Sequence, residues 1–180
     1  VHPREADLIV ATHGRGAYIA DIKPLQELTA EVLAKDVHLF ATEPKVRWTG
    51  RDLRESSSSN FAGESEAPGV PISYTLRTKP REVKVRILAG TAVLNEIAGT
   101  SEIGLNTVVW DMTGRRERTP DEKKAAQEGA RRLRDMGYGG AAGDLDFTSF
   151  PLPPGDYQVV LVVDGKTLTT TATVLRDPRY

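Results

Sequence analysis

The fold is decided by the stretch YQVVLVVDGKTLTTTATV, residues 157–174. Two β-prone runs flank Asp164-Gly165, which is the two-residue signal for a type I′ hairpin turn. Because that turn sets the register, the expected cross-strand pairs are Leu161 with Leu168, Val159 with Thr170 and Tyr157 with Ala172. A polar outer face then consists of Thr167, Thr169, Thr171 and Thr173. The stretch predicts an antiparallel hairpin with one buried face.

The period-two pattern also runs through residues 71–111. Ile72, Tyr74 and Leu76 alternate with Ser73, Thr75 and Arg77, which predicts a buried face and a wet face. Valine or isoleucine alternates with Lys and Arg over residues 83–87, a shorter run follows at 92–94, and another strand is expected at 105–111. Short alternating strands separated by turn signals are typical of sandwiches. We predict a mainly β protein with an antiparallel, immunoglobulin-like β-sandwich over residues 71–176.

A helical insertion is expected within this sandwich, at about residues 113–150. Thr119 has the character of an N-cap, Pro120 suits the first helical position, and the helix should continue to Met136. Its apolar face is short, so the helix should lie loosely on the surface. The glycine-rich run at 137–143 should end it and be flexible.

Residues 1–50 are predicted to form a β-hairpin, a short helix and short strands. Two β-prone runs within residues 7–21 flank a glycine-bracketed turn, and helical spacing of apolar residues runs from Pro24 to Lys35. Val37-His38-Leu39-Phe40 is a strand candidate. Residues 51–70 are rich in Ser, Gly and Glu and poor in apolar side chains, which predicts a flexible loop and the best domain boundary.

Composition and motifs argue against several classes of function. The chain has 180 residues with 24 Lys and Arg against 25 Asp and Glu, so a nucleic-acid or membrane partner is not expected. It contains no cysteine, which excludes disulfides, thiolate zinc sites and a cysteine nucleophile. No metal-binding, nucleotide-binding or nucleophile-elbow motif occurs, so no catalytic residue, metal or cofactor is expected.

Two strings resemble known families. VHPREADLIVATHGRG, residues 1–16, resembles the closing segment of the last blade in secreted bacterial β-propeller proteins with sortilin-like or BNR (glycosyl hydrolase-type) repeats. Residues 83–88, 104–111, 152–157 and 163–166 resemble the immunoglobulin-like domain related to the C-terminal domain of the flagellar hook-capping protein. The resemblance implies that residues 1–50 are the remnant of a last propeller blade and a connector, although the Asp-box string itself does not occur in the chain.

Candidate site residues lie mainly in the hairpin turn. Thr12, His13, Gly14, Arg15 and Gly16 could bind an anionic or sugar ligand at a propeller face, or could be an interdomain turn whose glycines supply positive φ. Asp111, Asp144 and Asp146 are weaker candidates for an acid pair, and Asp144 and Asp146 for calcium ligands. Asp111 is expected to cap a turn instead, and the other two are expected to lie in a solvated turn. Four aromatic residues could form a sugar platform but are expected in the core: Trp48, Tyr74, Trp110 and Tyr157.

We therefore expect a non-catalytic structural or interaction module at the C-terminus of a larger secreted β-propeller protein. Its expected partner is the upstream propeller domain of the same chain, with a glycan as a further candidate. The alternatives are a carbohydrate-binding module, or a fragment of a glycoside hydrolase whose catalytic residues lie upstream. The resemblance implies a secreted or periplasmic location.

Overall fold

The computed structural model describes residues 7–14, 16–49, 68–137 and 144–179. The first six residues, Arg15, most of the expected flexible loop and most of the glycine-rich run at 137–143 lie outside these ranges. Within them the protein is mainly β, as predicted. The strands are β1 (Asp7–Ala11), β2 (Ala17–Asp21), β3 (Val37–Leu39), β4 (Lys45–Val46), β5 (Val70–Leu76), β6 (Val83–Ala89), β7 (Ala92–Ala98), β8 (Gly104–Trp110), β9 (Thr113–Glu117), β10 (Phe147–Pro151), β11 (Gly155–Val163) and β12 (Lys166–Leu175). The helices are α1 (Lys23–Gln26), α2 (Ala30–Ala34) and α3 (Pro120–Asp135).

Two sheets build a β-sandwich. One has the strand order β4-β12-β11-β6-β7, and the other has the order β3-β5-β8. All of their ladders are antiparallel except the short parallel pairing of β4 with β12. The buried side chains between the sheets come from strands of both, as expected for two sheets that each bury one face.

The β11–β12 hairpin has the predicted register. Leu161 pairs with Leu168, Val159 with Thr170 and Tyr157 with Ala172. Asp164 and Gly165 have φ values of 47° and 86°, so both turn residues adopt the left-handed conformation that a type I′ turn requires.

The core is organised around large aromatic side chains. Trp110 and Tyr157 meet edge to face with ring centroids 5.4 Å apart, and Tyr74 is also fully buried. Their polar atoms are satisfied: Trp110 Nε1 donates to the carbonyl of Thr113, Tyr74 Oη to that of Thr100, and Tyr157 Oη to that of Pro153. These aromatic residues therefore stabilise the interior, as predicted.

The segment before residue 50 belongs to both sheets. β3 pairs with β5, β4 pairs with β12, and Phe40 is only 2% exposed. The carboxylate of Asp177 holds the C-terminal tail against this segment, because it accepts bonds from the amide and hydroxyl of Thr49 and from Arg179. The predicted domain boundary at 51–70 therefore falls inside one sandwich: β3 and β4 precede it, and their partners β5 and β12 follow it.

Three local features differ from the sequence prediction: the helix over residues 24–35, the wet face of β5 and the insertion. The expected helix over residues 24–35 is two helices, since the Thr29 side chain accepts a bond from the amide of Val32 and starts α2 as an N-cap. Ser73 and Thr75, which alternation places on a wet face, are both buried. β5 is the central strand between β3 and β8, and Ser73 also lines a small cavity with Pro24 and Phe40.

The insertion is also more structured than expected. β9 and β10 pair with each other and bring the two ends of the insertion together around α3. Polar residues without clear alternation hide β9 from a periodicity argument. The predicted cap of α3 is confirmed, since Thr119 and Glu122 form a capping box, and none of the side chains of α3 is buried.

Candidate functional site

The most unusual surface of the described chain is the hairpin of β1 and β2. Its strands pair with each other and with no third strand in the described ranges. Every residue of β2 is exposed, including Tyr18 at 66% and Ile19 at 70%. Leu8, Ile9 and Val10 on β1 are exposed as well.

The register shows that both faces of this hairpin are apolar. Ile9 lies opposite Ile19 on one face, and Val10 lies opposite Tyr18 on the other. An ordinary surface hairpin keeps one face polar toward water and buries the other. Residues 8–11 and 17–20 carry no charge, so neither face of the hairpin is suited to solvent.

The turn of the hairpin contains the predicted site residues. The amide of Thr12 donates to the carbonyl of Gly16 at 2.8 Å, and the Thr12 hydroxyl both accepts from the Gly16 amide and bonds its carbonyl. His13 is exposed. Arg15 lies outside the described residues. Thr12 and Gly16 close the turn, which gives the Thr12 side chain a structural role.

The two described glycines of this turn differ from expectation. Neither Gly14 nor Gly16 has the left-handed φ that is expected of glycines in an interdomain turn of this kind. A Cβ on Gly16 would lie 3.1 Å from the ring of Tyr18, whereas one on Gly14 would meet nothing within 4 Å. The local fold therefore explains the small residue at 16 and gives no reason for the one at 14.

Asp111 caps a turn, as expected, whereas Asp144 caps the turn before β10 and Asp146 pairs with Lys123. Asp111 accepts bonds from the amide and the hydroxyl of Thr113. Asp144 accepts from the amides of Asp146 and Phe147 and pairs with Arg115. The amide of Phe147 is the main reason that the pKa of Asp144 is lowered. The described residues contain no group of three or more carboxylates and histidines that could hold a metal ion.

Among the four aromatic candidates for a sugar platform, only Trp48 reaches the surface. It is 43% exposed, and the guanidinium of Arg179 lies 5.4 Å from the centre of its ring. Tyr74, Trp110 and Tyr157 belong to the core.

A charged groove was not foreseen from the sequence. It has a volume of about 770 Å³ and lies where the end of α2 and the start of β3 meet the β11–β12 turn. Lys35, Arg77 and Lys166 line it, and Asp36 pairs with the last two. The pairing of β3 with β5 brings Asp36 beside Arg77, and the approach of β12 to β3 adds Lys166 from the other sheet. Three cations and one carboxylate make the groove positive.

Comparison with models of protein families, with characterised proteins and with solved structures found no match to this chain. No helix in the described ranges is long and apolar enough to cross a membrane. The exposed apolar hairpin is therefore the main candidate for a functional surface, and its residues are the basis for inferring that function.

Proposed function

We propose that this chain is a non-catalytic interaction module whose β1–β2 hairpin docks into an upstream β-propeller domain of the same secreted protein. The observation that carries the proposal is that both faces of the hairpin are apolar and exposed. The sandwich then acts as the support that presents the hairpin and extends the propeller.

An isolated two-stranded hairpin is only marginally stable in water. Apart from Asp7 and Asp21 at its open end, this one also exposes apolar strands, and within the described residues their outer edges are unpaired. Proteins otherwise avoid this arrangement because it promotes aggregation. A partner that covers both faces removes both problems. The sheets of a propeller blade are packed between neighbouring blades, so a hairpin in the last blade would bury its two faces at once.

The charges at the open end of the hairpin indicate the chemistry of its partner. Asp7 lies directly opposite Asp21, and like charges in a cross-strand pair destabilise a sheet. The amide of Lys23 bonds to Asp21 and offsets part of this repulsion. We expect the docking surface to provide an apolar cleft for Ile9, Ile19 and Tyr18, with a lysine or arginine near the two aspartates.

The connection between hairpin and sandwich is short and well anchored. α1 follows the hairpin after one residue, and Lys23 pairs with Glu43 in the segment that leads to β4. Because β3 and β4 lie in the two sheets, the hairpin is tied to the sandwich through elements that cannot move independently of it. Docking of the hairpin would therefore fix the position of the whole sandwich.

The test compares this chain with the longer gene product that the proposal implies. Binding of the chain to the separately expressed upstream region is measured by isothermal titration calorimetry for the wild type, Ile19→Lys and the matched exposed control Leu133→Lys on α3. We expect Ile19→Lys to weaken binding at least about tenfold, because it places a charge in an apolar cleft. Leu133→Lys should bind like the wild type.

Amide hydrogen exchange supplies the second measurement. The amides of β1 and β2 should exchange quickly in the chain alone and become protected in the longer gene product. An upstream region without a propeller, or a hairpin that exchanges equally fast in both proteins, would overturn the proposal.

A glycan is the second candidate ligand, and the exposed ring of Trp48 is the observation that favours it. A glycan array with the wild type and Trp48→Ala separates the two ideas. Binding that depends on Trp48 would establish a carbohydrate-binding module, whereas no binding together with hairpin protection would leave the docking proposal in place.

A further inference from the structure

Within the part of the chain that the structure describes, β8 is an edge strand, and its outer backbone groups pair with no other strand. The amide of Phe40 donates to the carbonyl of Ser73, so the polar backbone groups of Ser73 face β3 and not β8. Thr107 lies opposite Ser73, and in an antiparallel ladder the polar groups of such a pair point away from each other. By alternation, the amides and carbonyls of Leu105, Thr107 and Val109 all point outward from the sheet.

Among the described residues, nothing protects this edge from pairing with another strand. The sequence of β8, GLNTVVW, contains no charge and no proline, and its ladder with β5 runs without a bulge. The other described edge strands of the two sheets differ: β3 has three residues, β4 has two, and β7 carries Glu96 and a register shift. Proteins generally blunt exposed edges by such means, because a regular apolar edge recruits another strand.

The side chains along the same edge are apolar and exposed. Leu105 is 41% exposed and Val109 is 40% exposed, on the face that lies away from the core. Thr107 lies between them, and its hydroxyl is within 2.9 Å of that of Ser73. The edge therefore offers three consecutive outward backbone positions, flanked by two apolar side chains.

If a second copy of β8 pairs antiparallel with the first, one register gives every outward backbone group of the edge a hydrogen-bond partner. With Thr107 opposite Thr107 at the two-fold axis, Leu105 of each copy lies opposite Val109 of the other. All the outward amides and carbonyls of the two strands then form hydrogen-bonded pairs. Glu102 and Asp111 flank the strand, and this register places neither of them opposite another acid.

We propose that this chain forms a two-fold symmetric dimer through β8, in which the two three-stranded sheets join into one continuous sheet. The self-complementary register favours a second copy over an unrelated peptide, because an isologous contact needs one surface that matches itself. The interface is one strand wide, which places it among small and weak interfaces, so the dimer should depend on concentration. The proposal is independent of the hairpin docking described above.

A charge-swap experiment tests the two-fold register directly. Thr107→Lys and Thr107→Asp each place like charges against each other at the axis, so each variant alone should dimerise at least about tenfold more weakly in sedimentation velocity. An equimolar mixture of the two variants should recover the dimer, because Lys then faces Asp. A variant that merely misfolded would not be rescued by mixing.

Two controls separate this contact from other routes of association. Thr169→Lys changes an exposed threonine on β12 and should leave the dimer unchanged. Ile19→Lys removes the apolar hairpin face and should also leave it unchanged, so failure of this proposal is distinguishable from failure of hairpin docking. In the dimer, the amides of Leu105, Thr107 and Val109 should become protected from hydrogen exchange as concentration rises. A monomer at all concentrations, or a dimer that Thr107→Lys does not weaken, would overturn the proposal.

Discussion

At the scale of single residues, Gly69 shows how tightly one backbone position can be constrained. It precedes β5 with a φ of 147°, a conformation that other residues rarely adopt. A Cβ at this position would lie 2.4 Å from the carbonyl oxygen of Trp110. That atom belongs to the backbone of β8 and cannot move without disturbing the ladder between the two strands.

We therefore predict that Gly69→Ala lowers the free energy of unfolding by about 2–4 kcal/mol, through backbone strain and overlap with β8. Gly14→Ala is the matched control and should change stability by less than about 0.5 kcal/mol, because its Cβ enters open space. Chemical denaturation of the two variants measures the difference. Equal stability of both variants would contradict the close approach of Gly69 to Trp110.

The sequence could identify residues whose roles are local, and it missed those whose roles depend on distant partners. Asp164 and Gly165 determine their own turn, so the register from Tyr157 to Ala172 could be predicted. Ser73 has the polarity of a surface residue, and its burial depends on neighbours that are distant in sequence: β3, β8 and the segment with Pro24 and Phe40. The same reason hid the cluster of charges around Asp36.

At the scale of elements, α3 depends on its N-terminus for stability. None of its side chains is buried, so packing contributes little, and an isolated helix of this length is only marginally stable. Its first turn holds a capping box in which Glu122 accepts from the amide of Thr119 and binds the guanidinium of Arg116 through both oxygens. These bonds, with Arg116 the larger cause, lower the pKa of Glu122 to about 2.

We predict that acid unwinds α3 before the sandwich unfolds. A carboxyl whose pKa is lowered in the folded state stabilises the fold fully above its ordinary value of 4.5 and loses that effect as the pH falls toward 2. The helical signal in far-ultraviolet circular dichroism should therefore decrease between these pH values while the signal from the strands persists.

Substitutions on α3 test whether Glu122 causes this transition. Glu122→Gln should show reduced helicity already at neutral pH and a much weaker acid transition. Glu128→Gln on the same helix is the control and should keep the transition of the wild type. If Glu122→Gln titrates like the wild type, the capping box is not the group responsible.

The elements also show why the insertion was only partly predictable. The cap of α3 depends only on neighbouring residues, Thr119 to Glu122, so it could be predicted from the sequence. β9 has no alternation to recognise. It pairs with β10, where Phe150 lies opposite Gly114 so closely that a Cβ there would be 2.6 Å from the ring. The need for a small residue at 114 is apparent only when β10 is known to lie beside it.

At the scale of the whole molecule, the chain consists of a sandwich that includes the N-terminal strands β3 and β4, and a hairpin that belongs to neither sheet. β3 and β4 contribute to opposite sheets, and Phe40 is buried outside the main core cluster. The parallel pairing of β4 with β12 joins two residues to a strand more than a hundred positions away, which no local pattern could indicate. As far as the described residues show, the β1–β2 hairpin, in contrast, forms no ladder with either sheet.

This division predicts different results for two truncations. Deletion of residues 1–21 removes the hairpin and should leave cooperative unfolding with a nearly unchanged midpoint, since no ladder of the sandwich is lost. Deletion of residues 1–47 also removes β3, β4 and Phe40, and should destabilise the sandwich by more than about 3 kcal/mol, the scale of losing one buried phenylalanine. Thermal and denaturant unfolding measure both proteins against the full chain. If the shorter deletion abolished cooperative unfolding, the hairpin would be part of the folding unit and could not serve as a separate docking element.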